Sequence, residues 1–236
     1  MEVIGSERLM EALRGAVGRY RPPVVIETGT YLGTGSTRMI AEAFAPGAPE
    51  KFYTIEISRR CYDIARRNLA HLEFVEVIWG LSVARERAES FIRNDSLLQE
   101  AGRYGVEVER PEDPVSFYLG EINGDQSGGG VWDNECYREP VAPDNVLARL
   151  LPQYKTRRPL IALDSAGGIG WLEFQEVMRF QQGLPFVLFL DDVNHVKHYR
   201  SLKYVESCPE FNMIDCDLSH GWALAAYQPG PRVGSA

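Results

Sequence analysis

A short apolar run, Val24-Val25-Ile26, passes directly into Glu27-Thr-Gly-Thr-Tyr-Leu-Gly-Thr-Gly-Ser-Thr37. No other segment narrows the possible folds so far. A strand that empties into a glycine-rich turn and then a helix brings backbone close to a ligand at the strand's carboxyl end, as open α/β sheets do. The spacing of Gly29, Gly33 and Gly35 is GxxxGxG. A dinucleotide fold uses GxGxxG, whose tight turn aims a helix N-terminus at a pyrophosphate. The turn therefore suits a ligand without phosphate.

The rest of the chain alternates in the same sense. Leu9, Met10, Leu13 and Val17 recur at helical spacing over 6–19, and Pro22-Pro23 ends that helix. Helix is expected over 37–44, strand over 52–57, helix over 59–69, strand over 74–79 and helix over 83–92. A long polar stretch, 93–159, then interrupts the pattern with several prolines and Gly128-Gly-Gly130. Its length suggests an inserted lid or subdomain. Strand 160–163, helix 171–181, strand 185–190 and helix 194–206 follow, and the strands 211–215 and 222–227 are close enough to form an antiparallel pair. Residues 1–236 thus read as one α/β domain. It is a Rossmann-like, doubly wound, mostly parallel seven-stranded sheet, with an antiparallel last strand, the 93–159 insertion and a disordered tail over 229–236.

Charge removes some partners. The acidic side chains outnumber the basic ones 33 to 25, a formal net charge of −8, and the basic residues form no block. A nucleic acid would be repelled. No apolar run approaches the roughly 20 residues of a membrane span, and the first residues lack the pattern of a signal peptide. Cys61, Cys136, Cys208 and Cys216 form no CxxC pair, which reads as free thiols in a reducing compartment. A cytoplasmic protein without membrane or nucleic-acid partners is expected.

Two carboxylates define the proposed ligand. Glu27 stands at the end of the first strand, where it can orient an amino group. Glu56 ends the second strand about 20 residues beyond the turn, where a carboxylate accepts ribose hydroxyls. With Gly29, Tyr31, Gly33, Ser36 and Arg38-Met39, these residues resemble the class I methyltransferases that use S-adenosyl-L-methionine (SAM), the catechol O-methyltransferase type in particular. The resemblance extends to Gly80-x-Ser82 as a wall of the adenine pocket. It implies a SAM site formed by Glu27, Gly29, Tyr31, Gly33, Ser36, Glu56, Ser82 and Asp164. Two departures stand out: Thr34-Gly35 makes the turn one residue longer, and Leu81-Ser82 replaces an acidic residue found in many methyltransferases.

Asp164 ends the fourth strand, while Asp191 and Asp192 end the fifth. In a parallel sheet those ends meet at one edge, and three hard oxygen ligands there suit Mg²⁺. By resemblance they occupy the metal positions of the catechol-type enzymes, where the ion chelates substrate oxygens and lowers a hydroxyl pKa. The alternatives are that Asp192 caps the next helix and that Asp164 bonds the loop Ser165–Gly168. Adjacent strand residues also face opposite ways, so Asp191 and Asp192 share an ion only if the strand ends between them. The family's lysine, three residues after the fourth-strand aspartate, is replaced by Gly167. His195 and His198, expected one helical turn apart, are the candidate catalytic bases, with Lys197 between them. His220 reads as a loop residue, and Glu173 and Glu176 read as solvated charges. Tyr118, Trp132 and their neighbours either flank a substrate or anchor the long loop.

The expected function is methyl transfer from SAM to a hydroxyl of a small-molecule acceptor, with metal assistance. Metal-independent N-methylation and SAM binding without transfer remain alternatives. A nicotinamide dehydrogenase is disfavoured by the glycine spacing. The acceptor's identity is not readable, and a homodimer built through the insertion is compatible with the chain.

Overall fold

The computed structural model describes residues 7–127, 136–165 and 168–230, with Gln126, Ser127 and Cys136 described in backbone alone. The last six residues of the expected tail, Gly128-Gly-Gly130, Trp132 and Gly167 lie outside them.

In chain order the main elements are α1 (Glu7–Tyr20), β1 (Val24–Thr28), α2 (Ser36–Ala43), β2 (Lys51–Glu56), α3 (Arg59–Asn68), β3 (Val75–Trp79) and α4 (Arg85–Asn94). Next come α5 (Ser96–Gln99), α6 (Ala101–Tyr104), α7 (Pro114–Ile122), and the hairpin strands β4 (Asp125–Ser127) and β5 (Cys136–Arg138). The chain continues with α8 (Val146–Tyr154), β6 (Leu160–Leu163), α9 (Gly170–Gln181), β7 (Phe186–Leu190), α10 (Tyr199–Ser207), β8 (Phe211–Asp217) and β9 (Trp222–Tyr227).

Seven strands make one sheet in the order β3-β2-β1-β6-β7-β9-β8. The first five are mutually parallel, and β9 runs antiparallel to both β7 and β8. Every residue of β1, β6 and β7 is buried, because helices cover both faces of a parallel sheet and leave no polar side to alternate with. On one face Leu9, Leu13 and Ala16 of α1 pack with Val25, Leu160 and Val187. On the other, Leu147, Leu150 and Leu151 of α8 and Phe174 and Val177 of α9 pack with Ile26, Ile161 and Leu188. Each such buried aliphatic side chain contributes roughly 1.5–3 kcal/mol.

Helix α8 falls inside the stretch expected to be inserted, yet it belongs to the layer against the sheet. Val146, Leu147, Leu150 and Leu151 form its buried face, and Pro152 within the helix obscures that signal in the sequence. Helices α5–α7 build a separate cluster, with Leu98, Tyr118 and Ile122 against Ile92 of α4 and against Ile169 and Val196. This packing ties the segment to the carboxyl edge of the sheet.

The helix expected from Asn194 starts only at Tyr199. The backbone of 194–196 is engaged elsewhere: the Glu107 amide donates to Asn194 O at 3.0 Å, and the Val196 amide donates to Glu107 O at 2.9 Å. His195 and His198 therefore lie in a loop and not on one helical face.

Candidate functional site

Strand order reverses at β1, with β2 and β3 on one side and β6 and β7 on the other. Ligands of open α/β sheets bind in the crevice beyond such a switch point. Here its walls are the turn after β1 and the residues after β6. Gly29 has φ +87°, and a Cβ on it would stand 2.0 Å from the Asp164 carbonyl oxygen. The two backbones pack directly, and only glycine permits it. Tyr31, also left-handed at φ +50°, donates its amide to Glu56 Oε2 at 2.6 Å. The Ser58 amide donates to Glu56 Oε1 at 2.8 Å. Glu56 is 7% exposed, and burial pushes its carboxyl up to about 7. Gly33 has the left-handed φ of +71°, and a Cβ on it would stand 2.7 Å from the Leu69 side chain, which would have to shift.

Glu27 is fully buried. It accepts hydroxyl bonds from Thr37 at 2.7 Å, Thr54 at 2.7 Å and Ser36 at 3.0 Å. Burial raises its carboxyl to about 7 in spite of them. Glu27 thus clamps the start of α2 to β1 and β2, and shapes the turn from behind. The Ser36 hydroxyl also lies 2.9 Å from Asp164 Oδ2, bridging the turn to the end of β6.

Ser82 donates to Glu173, a residue expected to be solvated. That expectation fails: Glu173 and Glu176 are 0% and 4% exposed. Glu173 points from α9 under the crevice and also accepts from Thr28 at 3.0 Å and Ser165 at 2.8 Å. It joins the segments after β1, β3 and β6, and burial pushes it up to about 7. Glu176 pairs with Arg87 and with Arg179. The only sequence cue was the position of both acids on the inner face of α9, beside Leu172 and Val177.

Asp164, Asp191 and Asp192 converge, each offering a carboxylate oxygen within 4.8 Å of the others. The strand does end before the pair: β7 stops at Leu190, and Asp192 takes the left-handed φ of +53°, which turns its carboxylate back toward Asp164. Asp191 is pushed well up, by burial first and by the Asp164 charge second.

Lys197 stands among them. Its Nζ lies 2.6 Å from Asp192 Oδ2 and 3.3 Å from Asp164 Oδ1, and the residue is 4% exposed. Burial alone would lower its pKa, but Asp164, Asp192 and Asp191 outweigh burial and raise it. A divalent ion on the same oxygens would sit about 2.1 Å from them, in space the ammonium fills and against its positive charge. The residues as arranged do not fit a divalent metal. In the sequence Lys197 is marked only by its place between His195 and His198, just beyond the aspartate pair.

The two histidines are buried in different ways, His195 with both nitrogens engaged and His198 with its Nε2 unpartnered. His195 Nδ1 accepts the Lys197 amide at 3.2 Å, and its Nε2 lies 2.7 Å from Glu109 Oε2. Glu109 also takes the Tyr118 hydroxyl; Tyr118 is buried and anchors α7, as its loop-anchoring reading expected. His198 is fully buried beside Ser201, and burial pushes its pKa down to about 3. His220 is on the surface, against Asp217.

No protein-family model matches the chain, and no curated protein matches it. Solved structures do. The cofactor-bound protein Rv0187 from MTB superposes with a TM-score of 0.51 at 16% identity, over 98% of this chain and 84% of that one. The O-methyltransferase from Bacillus cereus in complex with SAH superposes with a TM-score of 0.50 at 18% identity, over 95% and 82%. With the strand order above, these likenesses show a Rossmann-like methyltransferase fold. Among the described residues no helix is long and apolar enough to cross a membrane.

Proposed function

We propose that this chain binds SAM in the crevice between the ends of β1 and β6 and transfers its methyl group to a hydroxyl of a small molecule. The observation that carries the reading is the backbone contact of Gly29 with Asp164, set beside the Glu56 carboxylate at the end of β2. A carboxylate offers about four lone-pair sites. The amides of Tyr31 and Ser58 use one on each oxygen of Glu56 and the Ile57 backbone adds a further contact, which leaves acceptor capacity for a ribose hydroxyl.

The cofactor brings a methyl group on a sulfonium, which is already a good leaving group. The chain's own work is positioning: Gly29 and Gly33 keep the turn low, Glu27 and Glu173 fix it from below, and Glu56 fixes the ribose. An oxygen acceptor is supported by the Bacillus cereus neighbour, whose structure is that of an O-methyltransferase holding SAH. Helices α5–α7 pack over the same sheet edge, and we assign acceptor selection to that segment, as a lid on a single SAM-binding domain. The net charge of −8 argues for a small acceptor over a nucleic acid. Metal assistance is left out of this reading because Lys197 fills the carboxylate cluster.

Calorimetric titration with SAM is the test. Binding that weakens roughly 10- to 100-fold in Glu56→Ala, the worth of hydrogen bonds to a charged group, supports the cofactor. S-adenosylhomocysteine release with phenols or alcohols, against amines, then identifies the acceptor atom. Absence of SAM binding by the wild type would sink the reading.

A further inference from the structure

We propose that Lys197 is the resident cation of the Asp164–Asp191–Asp192 cluster, so that the site is built around a fixed ammonium and takes up no divalent metal ion. The part of this inference that concerns methyl transfer rests on the function proposed above; the part that concerns the cation stands on geometry alone.

The ammonium is held from several directions. Asp192 meets it at 2.6 Å and Asp164 at 3.3 Å, which engages two of the three N–H groups that a lysine offers. The backbone beneath it is equally constrained. The Lys197 amide donates to His195 Nδ1 at 3.2 Å. A Cβ on Gly170 would stand 2.4 Å from the Lys197 carbonyl oxygen, so the first turn of α9 presses on the loop. On either side, Val196 donates to Glu107 O at 2.9 Å and Val193 donates to Gly221 O at 2.8 Å. Three separate parts of the fold thus fix the loop that carries Lys197.

The left-handed φ of Asp192, +53°, belongs to the same arrangement. It turns the carboxylate toward Nζ, at a conformational cost that the contact offsets. Small hard cations need several oxygens at short, near-octahedral positions; an ammonium needs only acceptors along its N–H directions. Asp192 and Asp164 supply the second kind of site. Methyl transfer by this chain is accordingly indifferent to chelators.

Titration with Mn²⁺, followed by electron paramagnetic resonance on SAM-free protein, tests the proposal. The wild type should leave the ion free up to millimolar concentration. Lys197→Met and Lys197→Ala, which empty the position and free the carboxylates, should bind it at least about tenfold more tightly than wild type. Adding Asp192→Asn to Lys197→Met should abolish that gain. Micromolar uptake by the wild type that Asp192→Asn removes would overturn the proposal, and so would folded Lys197 variants that gain nothing. Should both variants fold poorly by circular dichroism, the wild-type titration decides alone. Failure of SAM binding would remove the methyltransferase reading and leave this result intact. Mn²⁺ uptake by the wild type would do the reverse.

Discussion

Gly29 and Asp164 touch backbone to backbone: a Cβ added to the glycine would stand 2.0 Å from the aspartate's carbonyl oxygen. The same glycine has φ +87°. Gly29→Ala therefore meets both a steric and a conformational penalty, and strand ends that hold the crevice must move apart. We expect a loss of about 2–4 kcal/mol in unfolding free energy, read from urea midpoints, together with loss of SAM binding. Gly35→Ala is the control, since nothing lies within 4 Å of a Cβ there. Equal effects at the two positions would contradict the argument.

Glu173 makes a second prediction possible because its partners are hydroxyls drawn from three strand ends. Glu173→Leu leaves Thr28, Ser82 and Ser165 without their shared acceptor in a fully buried place. The expected cost is on the order of 2–4 kcal/mol. Glu173→Gln keeps one acceptor oxygen and should cost less than half as much. Denaturant titration of both variants separates a shared hub from simple packing, for which leucine would be tolerated.

Acid strengthens this protein before it weakens it. Burial pushes Glu27, Glu56 and Glu173 each to about 7, from a usual value of 4.5 in the unfolded chain. The folded state therefore binds more protons between pH 4.5 and about 7, and stability falls as pH rises through that window. Above it the loss is complete. The ligand-free protein should melt higher at pH 6 than at pH 8. Each carboxyl adds a slope of at most about 1.4 kcal/mol per pH unit. Glu27→Gln should flatten the dependence by one proton's share; an unchanged profile would show that Glu27 is ionised in the fold.

How much of this could be read beforehand depends on the kind of signal. β1, β6 and β7 are continuous apolar runs with a glycine or acidic residue at the end, so strand, turn and sheet edge follow from period and punctuation. The convergence of Asp164 with Asp191 and Asp192 follows from the same topology. Lys197 and Glu173 were illegible for opposite reasons. The loop of Lys197 looks helical locally, and contacts with Glu107 and Gly221, far away in the chain, hold it otherwise. Glu173 looks like any acid on an amphipathic helix, and its burial is set by three hydroxyls from distant strand ends. Tertiary contacts decided both, and the place of Glu173 on the inner face of α9 is the one local trace of either.

His195 lies 2.7 Å from Glu109 and also accepts the Lys197 amide, so both its nitrogens are committed. Burial alone would raise the Glu109 carboxyl, but His195 and Tyr118 outweigh it and hold the group down to about 2. The pair joins the α6–α7 connection to the loop of Lys197. A general base typically contributes 10²–10⁴-fold, whereas a fastening contributes order. We expect His195→Asn to lower kcat less than about tenfold, to leave the shape of the pH–rate profile unchanged, and to speed limited proteolysis within 105–124. Glu109→Gln should do the same to proteolysis. A loss of more than a hundredfold, with the acidic limb of the profile gone, would restore His195 as the base.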